Sequence, residues 1–275
     1  MDDFYIPASV VVGIDGSLAA IRAALWAVDE AVSRDIPLRL IYAIGHPHIS
    51  VVDADDEARR LATAEIAVRY AFMAVEATDK PVKIEVEVDQ GHPLSTLVRA
   101  SRSASMVCVG AAGLDHGEQQ QVGSTAARLA TSAHCPIAIV REHGCANSPA
   151  GGRIVVEAVD SADNDAVIAH AMEEAHLRTA GLDAVTRCRC GSNDIGEHPV
   201  PAGIDRRLTR WAQRYPDVDV HSAAVHHTFG DYLADLPGSV RLVVVGFSSP
   251  HDKEGLGEHI GHAALEHAKC SVLVV

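Results

Sequence analysis

Val10-Val11-Val12-Gly13-Ile14-Asp15-Gly16-Ser17 decides the fold. The apolar run ends in an Asp-Gly-Ser turn, and the segment Ala19 to Ser33 comes next, with Ile21, Leu25 and Val28 at helical spacing on one face. A strand, a tight turn and a helix in that order make the opening step of a parallel sheet, whose neighbouring strands need a crossover between them. The pattern then recurs. Leu38 to Ile44 reads as a strand, and Gly45-His46-Pro47 leads into a helix over about Asp53 to Ala77, whose Asp53 to Glu57 acids suit the positive end of the helix dipole. Alternating Val82, Ile84, Val86 and Val88 predict a third strand, and Gly91-His92-Pro93 opens a helix through about Ser103. Met106 to Gly110, a helix over about Ser124 to Ala133, and Ile137 to Val140 complete five strands. Strands alternating with helices predict a parallel sheet with helices on both faces.

Gly144 to Gly152 is the one linker-like stretch, and the chain beyond it repeats the chain before it. Ile154-Val155-Val156-Glu157-Ala158-Val159-Asp160-Ser161 restates the first strand and turn, and Ala171 to Ala175 restates Ala27 to Ala31. Arg241 to Gly246 matches Ser105 to Gly110, and Lys269 to Val275 matches His134 to Val140. A repeat this long is a duplicated domain rather than a solenoid unit. The expected domains are residues 1–143 and 152–275, each a doubly wound α/β unit with a five-stranded parallel sheet in the order 3-2-1-4-5. The last strand of each, within Pro136 to Val140 and Ser271 to Val275, is then a short apolar edge, a liability that pairing relieves, within the chain or with another copy.

Composition agrees with a core of this kind. Hydrophobic residues are 48% of 275 and aromatics only 4%, so Ala and Val dominate the interior, as suits small-residue helices on parallel strands. The net charge of -14 opposes nonspecific binding to nucleic acid and to anionic lipid. There is no apolar run long enough to cross a membrane, and Met1-Asp2-Asp3-Phe4-Tyr5 lacks the basic-then-apolar pattern of a secretion signal, so the cytoplasm is the expected compartment. Three of the six cysteines lie in or beside apolar runs, as reduced core thiols do.

Chemistry concentrates after the fourth strand. Gly110-Ala111-Ala112-Gly113 is followed, after nine residues, by Gly123-Ser124-Thr125 at a helix start. Glycines let the backbone approach an anion, the free amides and helix dipole attract it, and Ser124 and Thr125 add hydroxyl donors. Asp15 stands at the carboxyl end of the first strand, the edge where open parallel sheets bind ligands. On these residues the first half resembles a universal stress protein domain of the ATP-binding type. That family's signature, Gly-two-Gly-nine-Gly-Ser/Thr, stands here as Gly110, Gly113, Gly123 and Ser124, and its Asp and Ser after the first strand as Asp15 and Ser17. Gly91-His92-Pro93 with Leu97, and Cys135-Pro136, fit the family's turns before its third helix and last strand.

The resemblance covers about residues 8–141 strongly and 153–275 weakly, as a tandem universal stress protein would. It implies a flavodoxin-like or adenine nucleotide alpha hydrolase-like fold. By it, Asp15 meets the adenine or ribose side, the backbone of Ala43 meets adenine, and the glycine loop holds ribose and phosphates, with Mg²⁺ accompanying ATP. It also implies homodimerisation and a regulatory, stress-response role. The rival expectation is a dimer scaffold or interaction module without nucleotide.

The second half departs at the same positions. Glu157 stands opposite Gly13, Asp160 matches Asp15 only with one residue inserted, Ser249 replaces the second glycine, and Glu258 falls where Gly123 would be. A carboxylate there repels phosphate by about 1–4 kcal/mol at intermediate dielectric, so this half is expected to bind ATP poorly. His259-Ile260-Gly261-His262 spells a nucleotidyl transferase motif in the wrong context, the expected final helix of the second repeat rather than the helix after a first strand. The sixteen histidines and Cys188-Arg189-Cys190 show no metal-ligand spacing, although the neighbouring arginines could lower a thiol pKa. No nucleophile, base and orienting group can be assembled, so no catalytic residue is named and slow ATP hydrolysis is at most an accompaniment.

Overall fold

A computed structural model describes residues 8–45, 54–113, 122–141, 152–187, 200–226, 228–236, 238–246, 264–265 and 268–275. The chain divides into two compact units, Met1–Arg141 and Glu142–Val275. In the first unit β1 (Ser9–Ile14), α1 (Leu18–Arg34), β2 (Leu38–Ile44), α2 (Ala54–Glu76), β3 (Ile84–Gln90), α3 (Pro93–Ala100), β4 (Ala104–Gly110), α4 (Ser124–Ser132) and β5 (Ile137–Val140) succeed one another. The strands run parallel in the order β3-β2-β1-β4-β5, the predicted doubly wound order.

Val10, Val11 and Val12 are all buried, which only a strand covered on both faces demands of consecutive residues. α1 packs over β1 and β4, α2 over β2 and β3, and α3 lies against β1, β2 and α4. Five buried alanines on α1, Ala20, Ala23, Ala24, Ala27 and Ala31, bring that helix close to the sheet, which is how a core with few aromatics fills its volume. α1 starts where the sequence places its cap: the Ser17 hydroxyl accepts from the Ala20 amide at 3.1 Å. It stops at Asp35, a left-handed residue at φ 51° whose amide closes back on the last turn.

Expected boundaries shift by up to three residues, and two of the shifts have a visible cause. Val82 lies outside β3, its amide turned to the Lys80 carbonyl at 2.8 Å, because the chain is still leaving the loop after α2. The third helix ends at Ala100 rather than Ser103, where Ser101 becomes its cap and accepts the His134 amide through its hydroxyl at 3.0 Å.

In the second unit β6 (Arg153–Glu157), α5 (Asn164–Leu177), β7 (Gly181–Arg187), α6 (Ala202–Arg214), β8 (Val220–Val225), α7 (Phe229–Ala234), β9 (Val240–Val245) and β10 (Ser271–Val274) give the same order, β8-β7-β6-β9-β10, again parallel. Registers correspond too. Val10, Val11 and Val12 face Met106, Val107 and Cys108, as Ile154, Val155 and Val156 face Leu242, Val243 and Val244. One residue further on, Glu157 therefore occupies the place of Gly13. Arg153 fastens the opposite end of this sheet, pairing with Asp183 at 2.7 Å and Asp219 at 3.0 Å.

Candidate functional site

The carboxyl edge of the first sheet is built around the turn after β1. Asp15 Oδ1 accepts the Ser17 amide at 2.9 Å, and Gly16 between them sits at φ +89°, a conformation that L side chains rarely adopt. A Cβ placed on Gly113 would lie 3.0 Å from Asp15 Oδ2, so the carboxylate and the second motif glycine are in contact across the β1/β4 junction. That junction is where the strand order reverses, the switch point at which doubly wound sheets bind ligands. Tyr42 at the end of β2 also feels this carboxylate: burial, and then the Asp15 charge, push its phenol above the usual range.

The two ends of the glycine loop are tied together by the Gly123 amide, which donates to the Ala111 carbonyl at 2.7 Å. A Cβ on Gly123 would lie 3.6 Å from the Ala111 oxygen and 3.8 Å from the Gly113 nitrogen. The α4 N-terminus thus stands beside Gly113, and through it beside Asp15. Gly123 caps α4 without any side-chain acceptor, leaving the first-turn amides to an anion or solvent, with Ser124 exposed and Thr125 half-buried in that turn. Residues 114–121 lie outside the described residues.

Gly110 answers a different need. A Cβ there would meet the Ala19 carbonyl carbon and Cβ at 2.7 Å, so this glycine lets α1 lie on β4. Ala43 is half-buried on β2 and lines a cleft of about 320 Å³ with Tyr42, Gly45, Arg60 and Thr63, on the α2 side of the edge. The structure therefore brings Asp15, Gly113, Gly123, Ser124 and Thr125 together. Ala43 borders the neighbouring cleft, and Gly110 stands behind the loop.

Two residues at this edge went unnoticed in the sequence. One is Tyr42. The other is Asp89, in register beside Ala43, which accepts the Thr96 hydroxyl at 3.1 Å and pairs with Arg99, anchoring α3 to β3. Its signal was an acid closing an alternating strand just before Gly91-His92-Pro93.

The equivalent edge of the second unit is differently furnished. Glu157 is half-buried, and burial pushes its carboxyl up to about 7 against the opposing pull of Arg187. Counting on from Glu157, Val159 stands where Asp15 would be and is 42% exposed. Asp160 is held by Arg207 of α6 at 3.1 Å, while the other guanidinium nitrogen donates to the Val159 carbonyl at 3.1 Å. Asn164 closes the turn, donating to the Glu157 carbonyl at 3.1 Å and accepting the Val159 amide at 2.9 Å. Ser249, Glu258, His259 to His262, Cys188 and Cys190 lie outside the described residues. Cys135 is half-buried and its thiol is pushed up to about 12 by burial, which removes the thiolate a nucleophile needs. Among the described residues no group of three His, Cys, Asp or Glu could hold a metal ion, and no helix is long and apolar enough to cross a membrane.

Fold and edge together define a flavodoxin-like α/β protein with its candidate ligand site at the switch point of the first sheet. Residues 8–141 match the pattern described as the Universal stress protein family. The whole chain is 51% identical over 275 residues to Universal stress protein Rv2028c of Mycobacterium tuberculosis, covering 100% of this chain and 98% of that relative. It is 43% identical over 270 residues to Universal stress protein Rv2624c of the same organism, covering 97% and 96%. A universal stress protein of Archaeoglobus fulgidus DSM 4304 shares the fold, with a TM-score of 0.71 over 97% of this chain and 95% of that one at 14% identity. The chain belongs to the universal stress protein family.

Proposed function

We propose that the first unit binds ATP with Mg²⁺ and that the protein is a nucleotide-dependent regulator in a stress response, acting in the cytoplasm as a homodimer. The observation that carries this reading is the contact of Asp15 with Gly113 beside the uncapped start of α4. A carboxylate accepts from hydroxyls and repels phosphate, whereas free amides at a helix start attract it. The site is therefore polarised. Asp15 faces the ribose or base, the cleft at Ala43 takes the base edge, and Gly123, Ser124 and Thr125 take the phosphates. Mg²⁺ keeps several waters and rides on phosphate oxygens, so the hydroxyls of Ser124 and Thr125 suit it as neighbours, and its role is to neutralise phosphate charge.

The second unit serves as scaffold in this reading. Asp160 is already satisfied by Arg207, and Glu157 places a carboxyl where the first unit has Gly13. Equilibrium dialysis tests both parts: one ATP per chain is expected in the wild type, and none after Asp15→Glu or Gly123→Ala with the fold intact. Retained binding in both variants overturns the site, and two equivalent sites overturn the division of labour. Mass spectrometry of the purified protein separates the ATP reading from a pure scaffold, which would carry no adenine nucleotide.

A further inference from the structure

α6 concentrates positive charge in a chain of net charge -14, with Arg206, Arg207, Arg210 and Arg214 among its 13 residues. Arg207 turns to Asp160. Arg206, Arg210 and Arg214 are exposed and recur at i, i+4 and i+8, so they form one column about 12 Å long. Beside this column Trp211 stacks on Tyr215, ring centroids 6.4 Å apart and planes 18° from parallel. The Arg214 guanidinium lies 5.6 Å from the centre of Trp211 and 5.9 Å from that of Tyr215, and Arg210 lies 5.9 Å from Trp211.

The rings are anchored from behind. Trp211 Nε1 donates to Asp165 Oδ1 at 3.2 Å, and Arg210 pairs with the same carboxylate. His176 lies 5.4 Å from Tyr215 and is held by Asp217 at 2.7 Å. Ile204 and Leu208 are the buried residues of α6, so the arginine and aromatic column is additional to the packing that holds the helix. Arg206 and Arg214 make no ion pair among the described residues. Trp, Tyr and Arg are the residue types that dominate binding hot spots, and cation–π contact orders a guanidinium whose outward donors stay available.

We propose that this face of α6 docks an acidic segment of a partner protein, two carboxylates on Arg206 and Arg214 flanking an apolar side chain on Trp211 and Tyr215. The spacing defines the segment. An extended peptide covers about 12 Å in four residues, so the acids stand at i and i+4 with the apolar residue at i+2. Guanidinium forks match carboxylates bidentately. A single-stranded nucleic acid fits less well: it asks for a positively charged groove that tracks its backbone, whereas this column holds three exposed arginines, one of them paired with Asp165, in a chain of net charge -14.

Fluorescence anisotropy with the labelled peptide Glu-Ala-Leu-Ala-Glu, its Lys-Ala-Leu-Ala-Lys counterpart and a twelve-residue oligothymidine tests the proposal on the intact protein. The acidic peptide is expected to bind, to weaken about fivefold or more between about 50 and about 300 mM NaCl, and to weaken about tenfold in Arg206→Glu/Arg214→Glu and in Trp211→Ala. The double arginine variant alters exposed side chains alone, so it remains informative if Trp211→Ala unfolds. ATP binding stays at the wild-type level in both, which separates this surface from the nucleotide site. Equal binding of the lysine peptide, tighter binding of the oligonucleotide, unchanged affinity in the arginine variant, or no acidic-peptide binding at millimolar concentration each overturns it. So does salt-sensitive self-association that the arginine variant abolishes, which gives the face to a second copy.

Discussion

Gly110 and Gly123 belong to one spacing motif, yet their surroundings ask different things of a methyl group. At Gly110 the added Cβ would meet Ala19 backbone at 2.7 Å, and helix backbone cannot rotate aside as a side chain does. Gly110→Ala should cost about 1–3 kcal/mol, read as a lower urea midpoint. At Gly123 the nearest atoms stand at 3.6 and 3.8 Å and the backbone is extended, so Gly123→Ala should lower the unfolding free energy by about 1 kcal/mol or less, the cap preference alone, while losing ATP. The spacing was legible in the sequence. Which glycine serves packing was not, because that depends on how closely α1 lies on β4.

Glu157 carries the pH prediction. Its carboxyl ionises near an ordinary 4.5 in the unfolded chain and near about 7 when folded, so between these values the native state holds a proton that the unfolded state releases. Stability therefore falls as pH rises from about 4.5 to about 7 and levels off above. Glu157→Gln should flatten that slope and raise stability at pH 8 by on the order of 1–3 kcal/mol, measured by urea unfolding across pH. An unchanged slope removes Glu157 as its source. The sequence identified the residue opposite Gly13, and strand register agrees.

At the scale of the element, the turn after β1 is a single device. Asp15 accepts the Ser17 amide and Ser17 caps α1, so the residue proposed to meet ligand is positioned by the start of the helix. Ser17→Ala removes one cap bond and should cost about 1 kcal/mol in thermal unfolding, with a weaker ATP site because the turn loosens around Asp15. Helix and strand periodicity placed every element of the first unit, since each presents a long apolar run or a regular stripe. In the second unit α6, β8 and α7 escaped it. α6 spends four of its residues on arginine, and β8, Val220-His221-Ser222-Ala223-Ala224-Val225, is an edge strand with exposed positions and no clean alternation. Edge strands and polar helices carry weak burial signals because little of them is buried.

For the whole molecule the division of labour becomes stoichiometry. One ATP per chain is expected from titration calorimetry, and Arg207→Ala, which frees Asp160, should leave that number at one because Glu157 remains at the edge. Light scattering at micromolar concentration is expected to give a dimer, and a monomer there overturns the homodimer. The net charge of -14 coexists with both proposed sites because each works locally, through backbone amides at α4 and through one arginine column at α6.

The sequence by itself determined the repeated strand, turn and helix order, the parallel sheet, the family, and the acid and glycines from which the candidate site is built. Apolar runs and turn residues act locally, so they are legible one segment at a time. Tertiary structure alone decided which of these residues meet. It put Asp15 against Gly113, turned Gly110 to α1, gave Asp160 to Arg207, and stacked Trp211 on Tyr215 under Arg214. Each of these contacts joins segments, or orients side chains, through the packing of helices on a sheet, and that distance is set by the whole core rather than by any one stretch of chain.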